Sequence, residues 1–269
     1  QPKNGFYDLV NAMVSLGKSL GVNYQVNHCL QKIEMNGNNA NKLIFENKEY
    51  DCDIVVSGAD YHHTETLLPN RFRQYSEKYW AKRVFAPSSL LFYVGFSKKI
   101  KNVNHHNLFF DTDFDQHAEE IYDNPNWPSD PLFYANFTSK TNPKTAPLNC
   151  ENGFFLIPIA TNLKDTEEIR DKYFNLIIEK LEKFTKQDLK DSIIYKRSFC
   201  VSDFKNEYNS YGGNAYGLAN TLFQTAFLRP NIKSKLVQNL YFCGQLTVPG
   251  PGVPPAIVSG ELVANLINK

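Results

Sequence analysis

The fold is decided near the end of the chain by the stretch NLYFCGQLTVPGPGVPPAIVSG, residues 239–260. Its apolar first residues predict a buried strand, its glycines and prolines a tight loop, and its last residues a helix that begins at Pro254 and Pro255. Proline is tolerated at a helix start because the amide hydrogen that it lacks would be unpaired there. Such a connection directs free backbone donors and the positive helix end at the space above the loop. The stretch therefore predicts either a site for an anionic or electron-accepting group or an ordinary strand-to-helix connection.

The rest of the chain predicts several strands with a few helices among them. Apolar residues at helical spacing predict helices at 6–20, 167–184 and 254–267, the second with Asp165 and Glu168 as a capping box. Strands are predicted at 22–26, 31–35, 42–46, 53–57, 88–96, 107–110, 131–139, 153–160, 191–201 and 239–243. These segments predict an α/β fold (α+β mixed), in which residues 1–60 and 209–269 form part of a nucleotide-binding layer. Residues 61–208 are expected to form an inserted domain built on a mixed sheet.

The composition excludes several classes of protein. With 29 Lys and Arg against 28 Asp and Glu the net charge is +1, so the basic excess of nucleic-acid-binding proteins is missing and no nucleic-acid partner is expected. No apolar run approaches the ~20 residues that a membrane-spanning helix needs. The five cysteines form no C-x-x-C pair, which argues against a zinc or disulfide framework and favours a reducing, cytoplasmic compartment. Aromatic residues make up 14% of the chain, which suits a core or an apolar ligand equally.

Other motifs have simpler structural explanations. The candidates for a metal site are His62-His63, His105-His106, and the run Asp111, Asp113 and Asp115. Adjacent histidines on a strand point to opposite faces, and the aspartate run lacks the glycine of a calcium loop, so we predict no metal site. The segment YGGNAYG, residues 211–217, predicts either a flexible turn or close approach of the backbone to a ligand. No G-x-S-x-G elbow supports a hydrolase.

Several of these stretches resemble, in the same order, motifs of the carotenoid (phytoene) desaturase family. Residues 239–260 resemble its C-terminal flavin motif, N-L-Y-x-x-G-x-x-T-x-P-G-x-G-V-P-x-x-x-x-S-G. The other matching stretches are PKNG (2–5), DIVVSGAD (53–60), PSSLLFYVG (87–95), HHN (105–107), DPLFY (130–134), AP (146–147), YGL (216–218), and Gln224 with Arg229 and Pro230. The match covers nearly the whole chain, and so many ordered motifs make it specific.

The resemblance implies FAD-dependent dehydrogenation of a long apolar polyene, phytoene first, in carotenoid biosynthesis. The implied fold is similar to that of the amine oxidases: a Rossmann-type FAD-binding domain, partial in this chain, with an inserted substrate domain that attaches peripherally to a membrane surface. The residues implied to contact FAD are Leu30, Gly244, Gln245, Val253 and Pro254. The rings expected to line an apolar substrate tunnel are Phe92, Tyr93 and Tyr134. Hydride transfer from a carbon–carbon bond needs positioning more than a strong base, and no catalytic acid or base is predicted.

The chain departs from the family pattern in one important respect. The family begins with a strand and a G-x-G-x-x-G loop that hold the FAD pyrophosphate, and these 269 residues contain no such motif. We therefore expect a C-terminal portion of a desaturase that binds FAD weakly, or not at all, by itself. Two alternatives remain: a later-step carotenoid desaturase or a polyene isomerase, and a flavin-free module that binds an apolar ligand or a membrane surface.

Overall fold

The computed structural model describes residue 2 and residues 5–269. Lys3 and Asn4, half of the stretch compared above with the family's first motif, lie outside the described residues. The helices are α1 (Tyr7–Ser19), α2 (Tyr61–Thr66), α3 (Glu77–Ala81), α4 (Phe114–Tyr122), α5 (Glu167–Thr185), α6 (Val201–Tyr208) and α7 (Val253–Ile267). The strands are β1 (Leu30–Asn36), β2 (Asn39–Phe45), β3 (Glu49–Asp51), β4 (Val55–Ser57), β5 (Ser88–Phe96), β6 (His106–Phe109), β7 (Phe133–Asn136), β8 (Glu151–Ile159), β9 (Ile193–Phe199) and β10 (Leu240–Phe242).

The larger sheet has five strands in the order β6-β7-β8-β5-β9. Every neighbouring pair in it is antiparallel, so the sheet is not mixed as the sequence suggested. The number of strands and helices in a sequence does not determine the direction of pairing. Here β6, β7 and β8 pair in chain order, and the chain then passes through α5 to add β9 at the far edge of β5. The overall class, an α/β fold with mixed helices and strands, is as expected.

One face of this sheet is covered by α5. The buried side chains between them include Leu90, Phe92, Phe155, Phe174 and Ile177. Strand residues alternate between the two faces, so the neighbours of these residues lie on the opposite face, which α4 and α6 cover only in part. We call that opposite surface the open face.

The start of α5 differs by one residue from the predicted capping box. Thr166, not Asp165, is the N-cap, and its side chain accepts from the Ile169 amide. The Asp165 carboxylate instead accepts from Arg170 and from the Ser202 amide, which fixes the start of α5 to the start of α6. Asp165 is therefore bound to Arg170 of α5 itself and to Ser202 of α6, and it does not cap the helix.

A second core lies under a short parallel pair, β10 with β4. Tyr61 stacks on Phe242 with ring centroids 3.7 Å apart, and Trp80 is fully buried beside them. Tyr61 and Trp80, which follow residue 60 in the chain, belong to this core. The three-part division of the chain stays a prediction.

Two further expectations concern the first thirty residues and the membrane. Residues 22–26 form no strand, and Val22, Tyr24 and Val26 are exposed, because no described segment pairs with them. High strand propensity without a partner does not make a strand. Among the residues that the structure describes, no helix combines the length and apolar character needed to cross a membrane.

Candidate functional site

A cavity of about 550 Å³ lies where the carboxyl ends of β4 and β10 meet the start of α7. Its walls include Gly58 after β4, Gly244 and Gln245 after β10, and Val253 and Ala256 of α7. The carboxyl ends of parallel strands are the usual place for a nucleotide cofactor in an open α/β sheet. The stretch 239–260 therefore forms one wall of a cavity, as its sequence suggested.

Three glycines present bare backbone to this cavity. Gly244 and Gly252 adopt φ values of +102° and +117°, which residues with a Cβ rarely adopt. The loop is also held from behind: the Gly244 amide donates to Ser259 Oγ at 2.8 Å, and Thr247 Oγ1 donates to the Gly244 carbonyl at 2.9 Å. At Gly58 a Cβ would meet only the Cys243 sulfur within 4 Å, so space is open above it. A flat ring system can approach this backbone closely, and the residues present fit a flavin.

The beginning of α7 offers fewer donors than most helix starts. Val253 is the first helical residue, and Pro254 and Pro255 follow it without amide hydrogens. The Ala256 amide already donates to the Gly252 carbonyl at 2.9 Å. The helix therefore presents its positive end through one amide, that of Val253, which limits it to a single hydrogen bond with an anionic edge.

Asp60 is the carboxylate in this cavity wall. One of its oxygens accepts from the His63 amide and the other from the Tyr211 amide, each at 3.1 Å. Burial raises the pKa of Asp60, while the two amides oppose the shift. With both oxygens engaged, Asp60 joins the end of β4 to residues 211–217 and has a structural role.

The five residues expected at FAD are not all together. Gly244, Gln245 and Val253 line the cavity. Pro254 follows Val253 on α7 but is not part of the wall, and Leu30 begins β1, where it packs against the second core. Leu30 does not line the glycine-walled cavity, and its contact with an adenine stays a prediction.

Two residues near the cavity were not predicted as site residues. Asn214 is buried, and its Oδ1 accepts from the Gly217 amide at 2.7 Å and from Gln245 Nε2 at 3.4 Å. Residues 211–217 thus contribute to the cavity wall. This favours the interpretation in which their backbone comes close to a ligand over that of a flexible turn. The sequence signal for this role was a polar side chain, Asn214, in a turn whose other residues are glycine, alanine and tyrosine.

Arg229 is the second unpredicted residue, and it holds the loop from below. It is 3% exposed, and its guanidinium donates to the Gln245 carbonyl at 3.2 Å and to Asn220 Oδ1 at 2.6 Å. A Cβ on Gly250 would lie 3.1 Å from the same guanidinium, so the loop passes directly over it. The match of Arg229-Pro230 to the family motif was the available signal, although it did not indicate this role.

The open face of the large sheet continues from this cavity. Phe204 and Tyr208 of α6 line the cavity and pack on Phe199 of β9, with ring centroids 4.9 and 6.1 Å away. Burial raises the pKa of the Tyr93 phenol, and the nearby Tyr208 contributes to that shift. Rings therefore connect the cavity to the middle of the sheet.

Of the three rings expected to line a substrate tunnel, two share this face. Tyr93 and Tyr134 lie on the open face, beside a cavity of about 980 Å³. Phe92 is 1% exposed and packs against Phe174 of α5 on the opposite face. Neighbouring residues of one strand cannot both point to the same side, so Phe92 belongs to the core and lines no surface.

The aspartate run considered as a metal site has a structural role. The Asp113 carboxylate caps α4 and accepts from the amides of Asp115 and Gln116 at 2.9 and 3.2 Å. Within residues 5–269 no group of three or more His, Cys, Asp or Glu side chains is arranged to hold a metal ion.

Comparison with known proteins identifies the family. Residues 1–268 match the family model of the flavin-containing amine oxidoreductases, and the chain belongs to this family. Among solved structures, an oxidoreductase from Methanosarcina mazei aligns over 97% of this chain and 53% of its own with a TM-score of 0.60 at 13% identity. A putative protoporphyrinogen oxidase from Exiguobacterium sp. aligns over 96% of this chain and 50% of its own with a TM-score of 0.61 at 11% identity. At such identities the likeness is one of fold, and it confirms the amine-oxidase-like architecture.

Curated relatives narrow the resemblance to carotenoid desaturases, as the sequence motifs indicated. A carotenoid 3,4-desaturase from Haloarcula japonica is 40% identical, over 99% of this chain and 54% of that protein. A 1-hydroxycarotenoid 3,4-desaturase from Flavobacterium sp. is 27% identical, over 99% of this chain and 54% of that protein, and a phytoene desaturase from Fusarium fujikuroi is 28% identical, over 100% and 51%. The chain spans about half the length of the curated relatives that it matches. The cofactor of the family is FAD, in agreement with the glycine-walled cavity.

Proposed function

We propose that the protein takes part in FAD-dependent desaturation of a carotenoid. One observation carries the proposal: the glycine-walled cavity opens, through Phe204 and Tyr208, onto a sheet face covered with aromatic and aliphatic side chains. A flat cofactor and a long apolar chain can therefore lie next to each other. The names of the related proteins support the same chemistry.

When bound, FAD supplies the acceptor for the hydride that leaves the polyene. The residues of this chain hold and orient the two partners. Asp60, the carboxylate in the described cavity wall, accepts one backbone amide on each oxygen, and we assign it a positioning role. The contribution of Phe204, Tyr208 and Tyr93 is to exclude water and to align the polyene, which can supply a large part of the rate acceleration.

The identity of the polyene is open to two readings. Phytoene is the substrate that the sequence motifs suggest first. Relatives named phytoene desaturase are 26–28% identical to this chain, whereas the carotenoid 3,4-desaturase is 40% identical. The higher identity favours a later step, the introduction of a 3,4 double bond.

Expression of the gene in bacteria that accumulate phytoene, and separately in bacteria that accumulate lycopene, tests the proposal. We expect one host to form a pigment that has lost two hydrogens per new double bond and absorbs at longer wavelength. A product of unchanged mass would indicate an isomerase. Unchanged pigments in both hosts, with the protein present and folded, would contradict desaturation.

We also propose that the protein attaches to a membrane surface from the cytoplasmic side. The support is a group of exposed apolar side chains beside α4, which we call the α4 patch: Leu108, Phe110, Phe114 and Tyr122. They surround an apolar cavity of about 290 Å³. Exposed apolar side chains in one place are typical of a surface that meets lipid or protein.

Residues 1–269 alone are expected to bind FAD weakly. The cavity walls supply contacts for a ring system, but the 269 residues contain no G-x-G-x-x-G loop for the pyrophosphate. A fluorescence titration of the isolated 269-residue polypeptide with FAD tests this expectation, and tight stoichiometric binding would contradict it.

A further inference from the structure

Helix α6 carries the two rings that join the glycine-walled cavity to the open face, Phe204 and Tyr208. Its own packing does not hold it in place: among its eight residues only Val201 is buried, and Tyr208 is 62% exposed. A helix of this length is unstable by itself in water, so contacts outside α6 must fix its position. The placement of the two rings therefore depends on what binds the ends of the helix.

A cluster of buried charges lies at the start of α6, around Arg170 of α5. The Arg170 side chain is 9% exposed, and its guanidinium lies 2.8 Å from a carboxylate oxygen of Asp203, the third residue of α6. The guanidinium also donates to Ser202 Oγ at 2.9 Å, to Ser198 Oγ of β9 at 3.1 Å, and to Asp165. One side chain thus joins α5, the end of β9 and the first turn of α6.

This cluster lies where the chain passes from one face of the large sheet to the other. Ser198 is on the face that α5 covers, where Arg170 reaches it. The next residue, Phe199, is on the open face and packs on Phe204 of α6. Arg170 therefore fixes α6 at the point where the chain leaves β9 for the open face.

The charges of the cluster bind one another strongly because they are removed from water. The Asp165 side chain is 3% exposed; burial acts to raise its pKa, but hydrogen bonds from Arg170 and Ser202 outweigh burial and hold that pKa below its usual range. Asp203 accepts in addition from the Cys200 amide at 2.7 Å, so the first turn of α6 closes on the carboxylate that Arg170 binds. Without the guanidinium, the two carboxylates would lose the cation that they share, and their repulsion would displace this turn.

The other end of α6 is bound to the segment that lines the cofactor cavity. The Phe204 carbonyl accepts from the Ser210 amide at 3.2 Å, and Ser210 Oγ donates to the Asn214 carbonyl at 2.6 Å. A Cβ on Gly213 would lie 2.6 Å from Val201, so the turn before Asn214 passes directly over the start of the helix. A displacement of α6 would therefore change the cavity wall as well as the two rings.

We propose that Arg170 is a positioning residue for the desaturation, because through Asp203 it holds α6 at the junction of the glycine-walled cavity and the open face. The inference rests on the proposed function and adds to it a residue that lines neither the glycine-walled cavity nor the cavity on the open face. Its effect is on the alignment of the reacting partners. A misplacement of about 1 Å can lower the rate of a reaction about a hundredfold.

The test uses the protein expressed from its complete gene and loaded with FAD. Arg170→Met removes the guanidinium and keeps an apolar side chain, and it should lower kcat about tenfold or more with a smaller change in KM. The substrate is lycopene or phytoene, whichever the wild type desaturates. Arg170→Lys keeps the charge and should restore part of the rate. Without turnover, the fluorescence of bound FAD should rise in Arg170→Met, because aromatic rings close to a flavin quench it.

A double-mutant cycle separates positioning from a general loss of stability. In a protein that carries both Phe204→Ala and Tyr208→Ala, Arg170→Met should change kcat and flavin fluorescence less than about twofold, because the rings through which it acts are gone. Glu151→Gln is the matched control. It removes a carboxylate from another buried ion-pair cluster, opposite the last residue of β5, and should leave kcat and flavin fluorescence unchanged.

The inference is overturned if Arg170→Met lowers kcat by the same factor with and without the two rings, if it changes neither readout, or if Glu151→Gln has an equal effect. If Arg170→Met does not fold, Asp203→Asn takes its place, since it keeps an acceptor for the Cys200 amide and loses the charge that Arg170 binds. If the wild type desaturates neither polyene, the proposed function fails, and the fluorescence cycle alone decides whether Arg170 positions the rings.

Discussion

At the scale of single residues, Arg229 holds the loop that forms part of the glycine-walled cavity. Its buried guanidinium has three oxygen partners on two segments, 218–220 and the loop at Gln245, but no carboxylate partner among the described residues. Burial lowers its pKa, as expected for a charge removed from water without a counter-ion. The hydrogen bonds that the guanidinium donates to the Gln245 and Leu218 carbonyls offset part of the free-energy cost of burying this charge.

Replacing Arg229 therefore should weaken both folding and cofactor binding. Arg229→Gln loses most of these donors and leaves buried carbonyl groups unpaired, so we expect a loss of about 2–4 kcal/mol in the free energy of unfolding. The dissociation constant for FAD should rise about tenfold or more because the Gln245 carbonyl is no longer held. Urea unfolding and FAD titration measure the two effects. Arg71→Gln, at an exposed arginine, is the control; equal behaviour of the two variants would contradict this role.

Glu65 gives the protein a pH-dependent stability. It is 2% exposed, and burial raises its pKa from 4.5 to about 7. The folded protein therefore binds a proton that the unfolded chain releases between pH 4.5 and 7, so the free energy of unfolding should fall as pH rises through this window, by about 3 kcal/mol in all. Glu65→Gln should remove this slope. A wild-type stability that rises or stays constant between pH 4.5 and 7 would contradict the assignment.

At the scale of elements, β5 contributes side chains to both faces of the large sheet, the core under α5 and the open face. Phe92 points into the core and Tyr93 to the open face, although they are adjacent in sequence. The family resemblance implied that both rings line one tunnel. The alternation between the two faces is hidden in the sequence, because Leu90 to Val94 are all apolar or aromatic. Only the position of α5 distinguishes the two faces.

The two neighbours should respond differently to truncation. Phe92→Ala leaves a cavity against Phe174 and should cost about 3–5 kcal/mol in the free energy of unfolding. Tyr93→Ala should cost less than about 1 kcal/mol but weaken polyene binding. Chemical unfolding and polyene titration separate the two. A larger loss of stability from Tyr93→Ala than from Phe92→Ala would show that the faces have been assigned incorrectly.

The α4 patch should bind lipid by apolar contact alone. The exposed charges around it, such as Asp111, Asp115 and Glu119, are acidic, so binding should need no anionic lipid and should be insensitive to salt. In flotation with phosphatidylcholine vesicles, Phe110→Ser combined with Phe114→Ser should lower the bound fraction about tenfold. Leu148→Ser, at a leucine that is 90% exposed elsewhere, is the control. If the wild-type protein does not float with vesicles, the proposal of membrane attachment fails.

Prediction from sequence succeeded where local chemistry and packing agree. β5 spans the predicted residues, and α7 begins one residue before the predicted Pro254, because proline placement and apolar spacing give the same answer there. It failed for residues 22–26, whose apolar alternation has no pairing strand. It could not find the cluster around Arg170, because the contacts depend on how α5 packs beside β9 and α6.

At the scale of the whole molecule, the chain has two cores and two connected surfaces. The core under β4 and β10 supports the glycine-walled cavity, and the core between the large sheet and α5 supports the open face. Because Phe204 and Tyr208 connect the cavity to the open face, a cofactor and a polyene can meet at their junction. The family relationship and the geometry agree on a flavin, and the proposed reaction follows from the apolar face beside it.

Anaerobic reduction of the bound flavin by a polyene tests this reaction most directly. The protein expressed from its complete gene and loaded with FAD is mixed with lycopene or phytoene in the absence of oxygen, and the oxidised flavin bands are followed. The account predicts that at least one polyene bleaches these bands while a product with one additional double bond forms in equal amount. Oxidised flavin that persists with polyene bound would contradict it.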